Sequence, residues 1–328
     1  MKPTMTRALQ AAALLLAIAA CNNAGSDLGP NPLQTNAISA VAYLDRDGSH
    51  TFTAADTFFA GAKVSLRPIS GAKAIQTVTT NISGIARFNS VAIGEYTITV
   101  DPTSIGDSIS VAAIDSSHVK IAVADTITFV AIRLGYPEVS IRQARLLAVG
   151  KRVFVRGVIL AGVQSFRDTT SHLADSSGQV RLTRVSLRGG LTGNSPGDSV
   201  SVLGITSSRL GQPTLDNAVI SRFGARPAPI PLPVSTATAA NASNGLLDAG
   251  LVVITGAAII DSATVAPDFK VTGNDGSGPV TVLLDGNINF NRSLFRAGHT
   301  MNVRGVLVPD GQGGWMLKPR DTGDAQVF

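Results

Sequence analysis

The chain has 328 residues, a formal net charge of +5 and a single cysteine, Cys21. One cysteine excludes an intramolecular disulfide framework, so the fold must rest on buried apolar surface. Charged residues make up only 15% of the chain, glycine occurs 33 times, and Val, Ile and Thr recur in short alternating runs. This composition predicts an all-β protein with many turns, and the length predicts two or three domains.

The first residues have the layout of a secretory signal peptide. Lys2 and Arg7 precede an apolar run over 11–20, which ends in small residues directly before Cys21. The run is too short to cross a bilayer, because a spanning helix needs about twenty apolar residues. The pattern therefore predicts a signal peptide over residues 1–20, cleaved either with or without lipidation of the next residue.

The segment Ile18-Ala19-Ala20-Cys21 resembles the lipobox of bacterial lipoproteins. The resemblance implies that Cys21 becomes the mature N-terminus and carries several acyl chains, which hold a protein at a membrane stably. Asn22 follows the cysteine where an aspartate would favour retention at the inner membrane, so we expect the outer membrane of a bacterial envelope. Residues 21–36 contain glycines and prolines among polar side chains, and they predict a flexible tether.

Residues 37–136 predict a β-sandwich, with short strand-like runs separated by turn residues. This part of the chain contains the acidic loop Asp45-Arg46-Asp47-Gly48 with Asp56, and the segments 60–66, 79–88 and 94–100. In their order and spacing, these segments resemble the Sdr B-like and carboxypeptidase-regulatory-like sandwich domains of bacterial surface proteins. The resemblance implies an immunoglobulin- or prealbumin-like sandwich and, in the acidic loop, a structural calcium site.

The calcium hypothesis rests on Asp45, Asp47 and Asp56. Calcium takes six to eight oxygen ligands, and the D-x-D-G loop supplies two carboxylates before a turn that glycine permits. Tyr43 stands where the fuller family pattern has another oxygen ligand. The alternative is an aspartate-rich turn whose carboxylates accept hydrogen bonds from backbone N–H groups. No other cofactor is expected.

Three segments of the second half repeat at nearly constant spacing. Residues 152–159, 175–180 and 197–204 are echoed by 251–259, 275–280 and 298–305, at offsets of 99 to 101 residues. The pattern of each unit predicts five strands, with a crossing segment between the third and the fourth. In the second unit this segment is 290–296, and its pattern indicates one or two helical turns. This is the arrangement of an OB-fold barrel. The units also resemble the OB-type modules of bacterial extracellular proteins, including some secreted nucleases.

The repeat defines two barrels, over 137–226 and 234–328, joined by a linker. The linker, residues 227–233, contains alternating prolines. Alternating prolines favour an extended polyproline II conformation, so we expect a spacer that keeps the barrels at a semi-fixed distance.

Signatures of catalysis are weak. The motif G-x-S-x-G occurs around Ser195, but the next residue is Pro196, which has no N–H to donate to an oxyanion. The four histidines, His50, His118, His172 and His299, lack partners at metal-ligand spacing. We expect His172 to lie at the surface or half-buried. The sequence therefore predicts a protein that is not an enzyme.

The basic charge is concentrated in the first barrel, where residues 141–226 hold twelve cations and four anions. An OB-fold that binds single strands combines such charge with aromatic side chains for base stacking. Aromatics are sparse here, and Phe154 is expected to face the core. The candidate cations are Lys151, Arg152, Arg156, Arg167, Arg181, Arg184 and Arg188.

Two functions follow from these patterns, and a third, more distant interpretation is a hydrolase whose site is assembled from loop residues. The first is a lipid-anchored envelope protein that acts as a non-enzymatic binding, adhesion or assembly module for an unidentified envelope partner. The second is a surface protein whose barrel captures nucleic acid or another polyanion, such as an anionic glycan or lipid. A solvated cationic surface without a specific ligand is the alternative to both ligand classes.

Overall fold

A computed structural model describes residues 36–46, 48–106, 108–115, 117–122, 126–189 and 192–328. Over these residues the chain is almost entirely β-structure, as its composition predicts. Helical structure in this part of the chain is limited to two short α-helices and three single 3-10 turns. The signal peptide, Cys21 and the tether before Asn36 lie outside the described residues, as does Asp47.

The first hundred described residues form two sheets around one apolar core, to which both sheets contribute. The first strand, β1 (Asn36–Leu44), illustrates how this core is built. Ile38, Ala40 and Ala42 occupy alternate positions along it and are fully buried, as expected for residues on one face of a strand. The first sheet contains β1 (Asn36–Leu44), β2 (Thr57–Phe58), β5 (Ile85–Val91), β7 (Ser110–Ile114) and β9 (Ile127–Gly135). The second contains β3 (Lys63–Pro68), β4 (Gln76–Thr79), β6 (Gly94–Val100) and β8 (His118–Ile121), and a 3-10 turn covers Pro102–Ser104.

The first and last strands of this sandwich run parallel. Strand β1 pairs with β9 in continuous register from Ala37 opposite Ile127 to Leu44 opposite Leu134. The chain therefore begins the sandwich at one end and leaves it at the other. We call the end that holds Asn36 the proximal end and the end that holds Gly135 the distal end.

The next unit is a closed five-stranded barrel. Its strands follow one another in the order β10, β11, β12, β15 and β14, and β14 returns to β10. A parallel pair between β12 and β15 closes the ring, which is OB-fold topology. The five barrel strands are β10 (Arg152–Ala161), β11 (Ser171–Ala174), β12 (Gln179–Leu182), β14 (Asp198–Arg209) and β15 (Gln212–Ala225). A further short strand, β13 (Ser186–Leu187), pairs with β15.

The last unit repeats the same topology. Its parallel closing pair lies between β19 (Pro279–Leu284) and β21 (Trp315–Lys318). The predicted crossing segment contains the 3-10 turn Arg292–Leu294. Two short strands, β16 and β22, extend the sheet, and a 3-10 turn covers Thr322–Asp324. The strands are β16 (Leu232–Pro233), β17 (Leu251–Val265), β18 (Asp268–Asn274), β19 (Pro279–Leu284), β20 (Thr300–Pro309), β21 (Trp315–Lys318) and β22 (Ala325–Val327).

Each barrel is preceded by a short helix that the strand patterns do not predict: α1 (Ile141–Leu146) and α2 (Thr236–Asn241). The repeated D-x-S-G turn between the second and third barrel strands holds the N-terminus of each helix. Asp175 accepts a hydrogen bond from the Ile141 N–H at 2.8 Å, and Asp275 accepts one from the Thr236 N–H at 3.0 Å. The internal repeat therefore extends to a shared N-terminal cap, which satisfies helix N–H groups that have no partner within the helix.

The barrels pack directly on each other, in contrast to the spacer expected from the prolines. Leu160 and Phe166 of the first barrel share a buried apolar cluster with Leu251 and Val306 of the second. The end of the predicted linker is itself strand β16, which pairs in parallel with β17. Apolar burial therefore holds the two barrels together, and backbone pairing attaches the end of the proline-rich segment to the second barrel, so this segment connects the barrels without separating them.

Candidate binding surfaces

The acidic loop at the distal end of the sandwich is closed by its own carboxylates. Asp45 is buried and accepts hydrogen bonds from the Ser49 N–H at 3.1 Å and the His50 N–H at 3.0 Å. Asp56 is also buried and accepts from the Arg46 N–H at 2.9 Å and the Thr53 N–H at 2.7 Å. These are the backbone-capping contacts that aspartates commonly make in turns.

This arrangement does not favour a cation. The Arg133 guanidinium lies 3.2 Å from the Asp45 carboxylate and already supplies the positive charge that a metal would bring. Both described carboxylates direct their oxygens at N–H donors, whereas calcium needs those oxygens as ligands. The described members of the predicted site, Asp45 and Asp56, therefore fit a metal poorly, and calcium binding stays a prediction from the sequence.

The same loop contacts the first barrel. Gly48 has a φ of +64°, and a Cβ at this position would lie 2.9 Å from the Phe154 ring. The His50 and Phe154 rings are 6.5 Å apart. Phe154 thus faces outward from β10 toward the sandwich, and the expectation that it faces the barrel core is wrong. Val153 and Val155 fill the core instead, because successive residues of a strand point to opposite faces.

A cleft of about 280 Å³ lies between the sandwich and the first barrel. Its walls carry charged and aromatic groups from both units. On β10, Arg156 pairs with Glu138 at 3.1 Å and lies over the Phe154 ring at 5.9 Å. The lining includes Asp45, His50, Arg133, Tyr136, Glu138, Phe154 and Arg156.

Beside the cleft, the outward face of β10 continues the same pattern. Arg152 lies 5.1 Å from the centre of the Tyr136 ring. Arginine next to an aromatic face can stack on a planar ligand and also contact an anionic group. The sequence identified Arg152 and Arg156 but missed Tyr136 and Glu138, because these residues lie in the connection between the two units.

The other candidate cations do not join this surface as one patch. Arg181 is buried and donates to the Arg209 carbonyl at 3.3 Å, and burial lowers its pKa. Arg184 is exposed and forms an ion pair with Asp216. The Arg167 backbone N–H binds Asp285 of the second barrel at 3.1 Å. Arg188 is half-buried and Lys151 is exposed.

Acidic partners from outside residues 141–226 reduce the surplus of positive charge counted over that segment. Arg156 is neutralised by Glu138 of the connecting segment, and Arg145 pairs with Asp248 of the following unit at 3.1 Å. A count of charges along the chain cannot include these partners. The surface of the barrel is therefore less cationic than its sequence alone indicates.

His172 lies inside the contact between the barrels. It is fully buried, and neither ring nitrogen reaches a hydrogen-bond partner among the described residues. Burial, together with the positive charges of Arg181 and Lys318, lowers the pKa of His172 to about 3. The expectation of a surface or half-buried histidine is wrong, because its strand face is covered by the second barrel.

Ser195 lies in a turn, where its backbone N–H donates to Asp198 at 2.8 Å. Among the described residues, no group of three His, Cys, Asp or Glu side chains is arranged to hold a metal ion. The described part of the chain also contains no helix with the length and apolar character needed to cross a membrane.

No family model matches this sequence, and a search of curated proteins finds no significant match. Solved structures give weak similarities. The minor pilin GBS52 of Streptococcus agalactiae shares 14% identity over 31% of this chain and 45% of its own, with a TM-score of 0.24. The major pilin subunit BcpA of Bacillus cereus shares 10% identity over 86% and 92%, with a TM-score of 0.25. A murine DNA-binding protein bound to double-stranded DNA shares 8% identity over 53% of this chain and 97% of its own, with a TM-score of 0.28.

This chain therefore spans less than half the length of the minor pilin. At these TM-scores the similarities carry no argument about function. The fold assignment rests on the strand pairing described above.

Proposed function

We propose that this protein is a lipid-anchored component of a bacterial envelope, and that it acts as a non-enzymatic binding, adhesion or assembly module. The observation that carries the proposal is the parallel pairing of β1 with β9. Because of it, the predicted tether reaches the sandwich at the proximal end and the barrels leave from the distal end. An anchor at Cys21 would place the sandwich next to the membrane and the barrels away from it.

The dimensions support such an arrangement. The paired stretch of β1 and β9 covers eight residues, from Ala37 to Leu44. At about 3.3 Å per residue, the sandwich separates its two ends by roughly 25 Å. The fourteen residues between Cys21 and the first strand add at most about 50 Å of reach. The barrels would be held tens of ångströms from the bilayer surface.

The contacts between the units favour a display function. The acidic loop packs on Phe154 at one junction, and the shared apolar cluster closes the other. A stack with such contacts presents its outer strands and loops in a fixed arrangement. A partner meets a preformed surface and does not have to order it on binding.

Cell fractionation tests this proposal directly. Cys21→Ser removes the lipid acceptor, and we expect the protein to move from the membrane to the soluble fraction. Ser26→Ala, in the predicted tether, is the matched control and should leave the protein in the membrane. Unchanged membrane association of Cys21→Ser would refute lipid anchoring. Separation of inner and outer membranes on a density gradient tests the expected outer-membrane location.

The second candidate function is the binding of a polyanion, and one observation favours it. Arg152 and Arg156 face outward on β10 next to Tyr136 and Phe154, so cationic and aromatic groups are combined after all. Single-stranded nucleic acid is held by this combination in other OB-folds.

A salt series with single-stranded DNA tests the second candidate. Binding that weakens as salt rises, and weakens further in Arg152→Gln, would support it. Arg209→Gln, an exposed cation elsewhere on the barrel, is the matched control. An absence of binding at low salt would leave display as the function.

A further inference from the structure

Exposed apolar side chains occur at both ends of the sandwich: Phe52 and Phe58 stack on each other at the distal end, and a second group lies at the proximal end. On β9, the side chains of Ile127 and Phe129 point to the outer face of the sheet, with exposed fractions of 43% and 61%. Ile93, in the turn after β5, is 60% exposed. Large apolar groups that are exposed together mark a contact surface. We call Ile93, Ile127 and Phe129 the proximal patch.

Strand pairing holds these residues at the point where the described chain begins. Ala37 lies opposite Ile127 on β9, and Asn36 lies opposite Val91 on β5, two residues before Ile93. The buried Asn36 amide connects the two segments. It donates to the Val91 carbonyl at 3.3 Å and accepts from the Thr126 N–H at 3.0 Å. The patch is therefore built into the sandwich at the attachment point of the predicted tether.

We infer that the proximal patch inserts into the interfacial region of the lipid bilayer. This inference rests on the proposed anchor at Cys21. With fourteen residues between Cys21 and Asn36, the proximal end is the part of the described chain that is closest to the lipid along the sequence. The described charges there do not oppose contact with an anionic bilayer, since Lys120 pairs with Glu95 at 3.4 Å. The exposed Arg87 lies on β5 across Ser39 from Phe129, where its positive charge favours anionic lipid. Interfacial binding scales with the apolar area that is buried among the lipids.

The distal end supplies a matched comparison. Phe52 is 50% exposed there, close to the exposure of Phe129, but it lies at the opposite end of the sandwich. Exposure alone would make the two phenylalanines equivalent. The inference requires lipid contact at Phe129 and none at Phe52.

Tryptophan fluorescence in vesicles distinguishes these cases. The full lipidated chain carrying Phe129→Trp is reconstituted into vesicles of phosphatidylethanolamine and phosphatidylglycerol that contain brominated lipids. We expect the added tryptophan to blue-shift the emission relative to the parent, whose single tryptophan is Trp315, and the variant to lose fluorescence relative to the same variant in vesicles without brominated lipids. Phe52→Trp should show neither change. Ile127→Trp provides a second probe if the first variant does not fold.

Flotation of the same vesicles separates failure of the anchor from failure of the patch. If the protein floats and the tryptophan at position 129 is not quenched, the patch does not contact lipid and the inference is refuted, while the anchor stands. A blue-shifted emission without quenching would show that protein covers the patch, either the tether or a second copy, and would also refute it. If the protein does not float, the anchor itself is wrong and the membrane is excluded as the partner of the patch.

Discussion

Replacement of Lys318 by methionine tests how the two barrels are joined. Lys318 lies 2.8 Å from Asp285 and 4.3 Å from the centre of the Phe166 ring, and both members of the ion pair are almost fully buried. Removal of one partner from a buried pair costs about 3–5 kcal/mol, because the remaining charge is left in a poorly solvated site. Asp285 keeps backbone donors from Arg167 and Asn287, so we expect the lower limit, about 3 kcal/mol.

The assay is urea unfolding followed by the fluorescence of Trp315, which lies in the second barrel and donates to Asp248 at 2.9 Å. Lys318→Met should shift the transition to lower urea, and addition of Asp285→Asn should recover part of the loss by removing the stranded charge. Lys120→Met breaks an exposed pair with Glu95 and should cost less than about 1 kcal/mol. A loss of less than about 1 kcal/mol in Lys318→Met would refute the buried pair.

Three further predictions concern pH, capping and the acidic loop. The folded pKa of His172 is about 3, and the unfolded value is about 6.5, so the unfolded chain alone gains a proton between them. The free energy of unfolding should then fall by about 1.4 kcal/mol per pH unit below about pH 6.5, and denaturation of His172→Leu at several pH values should show a shallower slope. Asp175→Ala and Asp275→Ala each remove an equivalent helix cap, so calorimetry should show a lower melting temperature for both, and an unchanged value would contradict the shared cap. Gly48→Ala should lower the melting temperature, because its Cβ would meet the Phe154 ring. Added calcium should raise the melting temperature only if the loop opens to bind it.

The strand order of the barrels is predictable from the sequence because it is repeated. A chance match would not keep its offset within two residues over three segments, and each segment falls on equivalent strands of the two barrels. The helices α1 and α2 are missed because each covers only six residues. Their signal was present in Ser140 and Gln143, which form a capping box, and in the repeated aspartate turn.

The candidate site was harder to predict, since it depends on contacts between units. The alternation along β10 places Phe154 on the same face as Arg152 and Arg156, so the sequence does indicate its outward direction, but it does not show that Tyr136 and the sandwich pack on that face. The partners of Arg156 and Arg145 lie in neighbouring segments, so a charge count within one unit overestimates its cationic surface. His172 is buried by the second barrel, and a local pattern carries no information about that burial.

The central claim is that lipid at Cys21 holds one end of this stack at a membrane. Mass spectrometry of the N-terminal peptide from membrane-purified protein tests it most directly. We predict a mature chain that begins at Cys21 and carries the added mass of acyl chains. A peptide with an unmodified Cys21 thiol, or a chain that still contains residues 1–20, would contradict the claim.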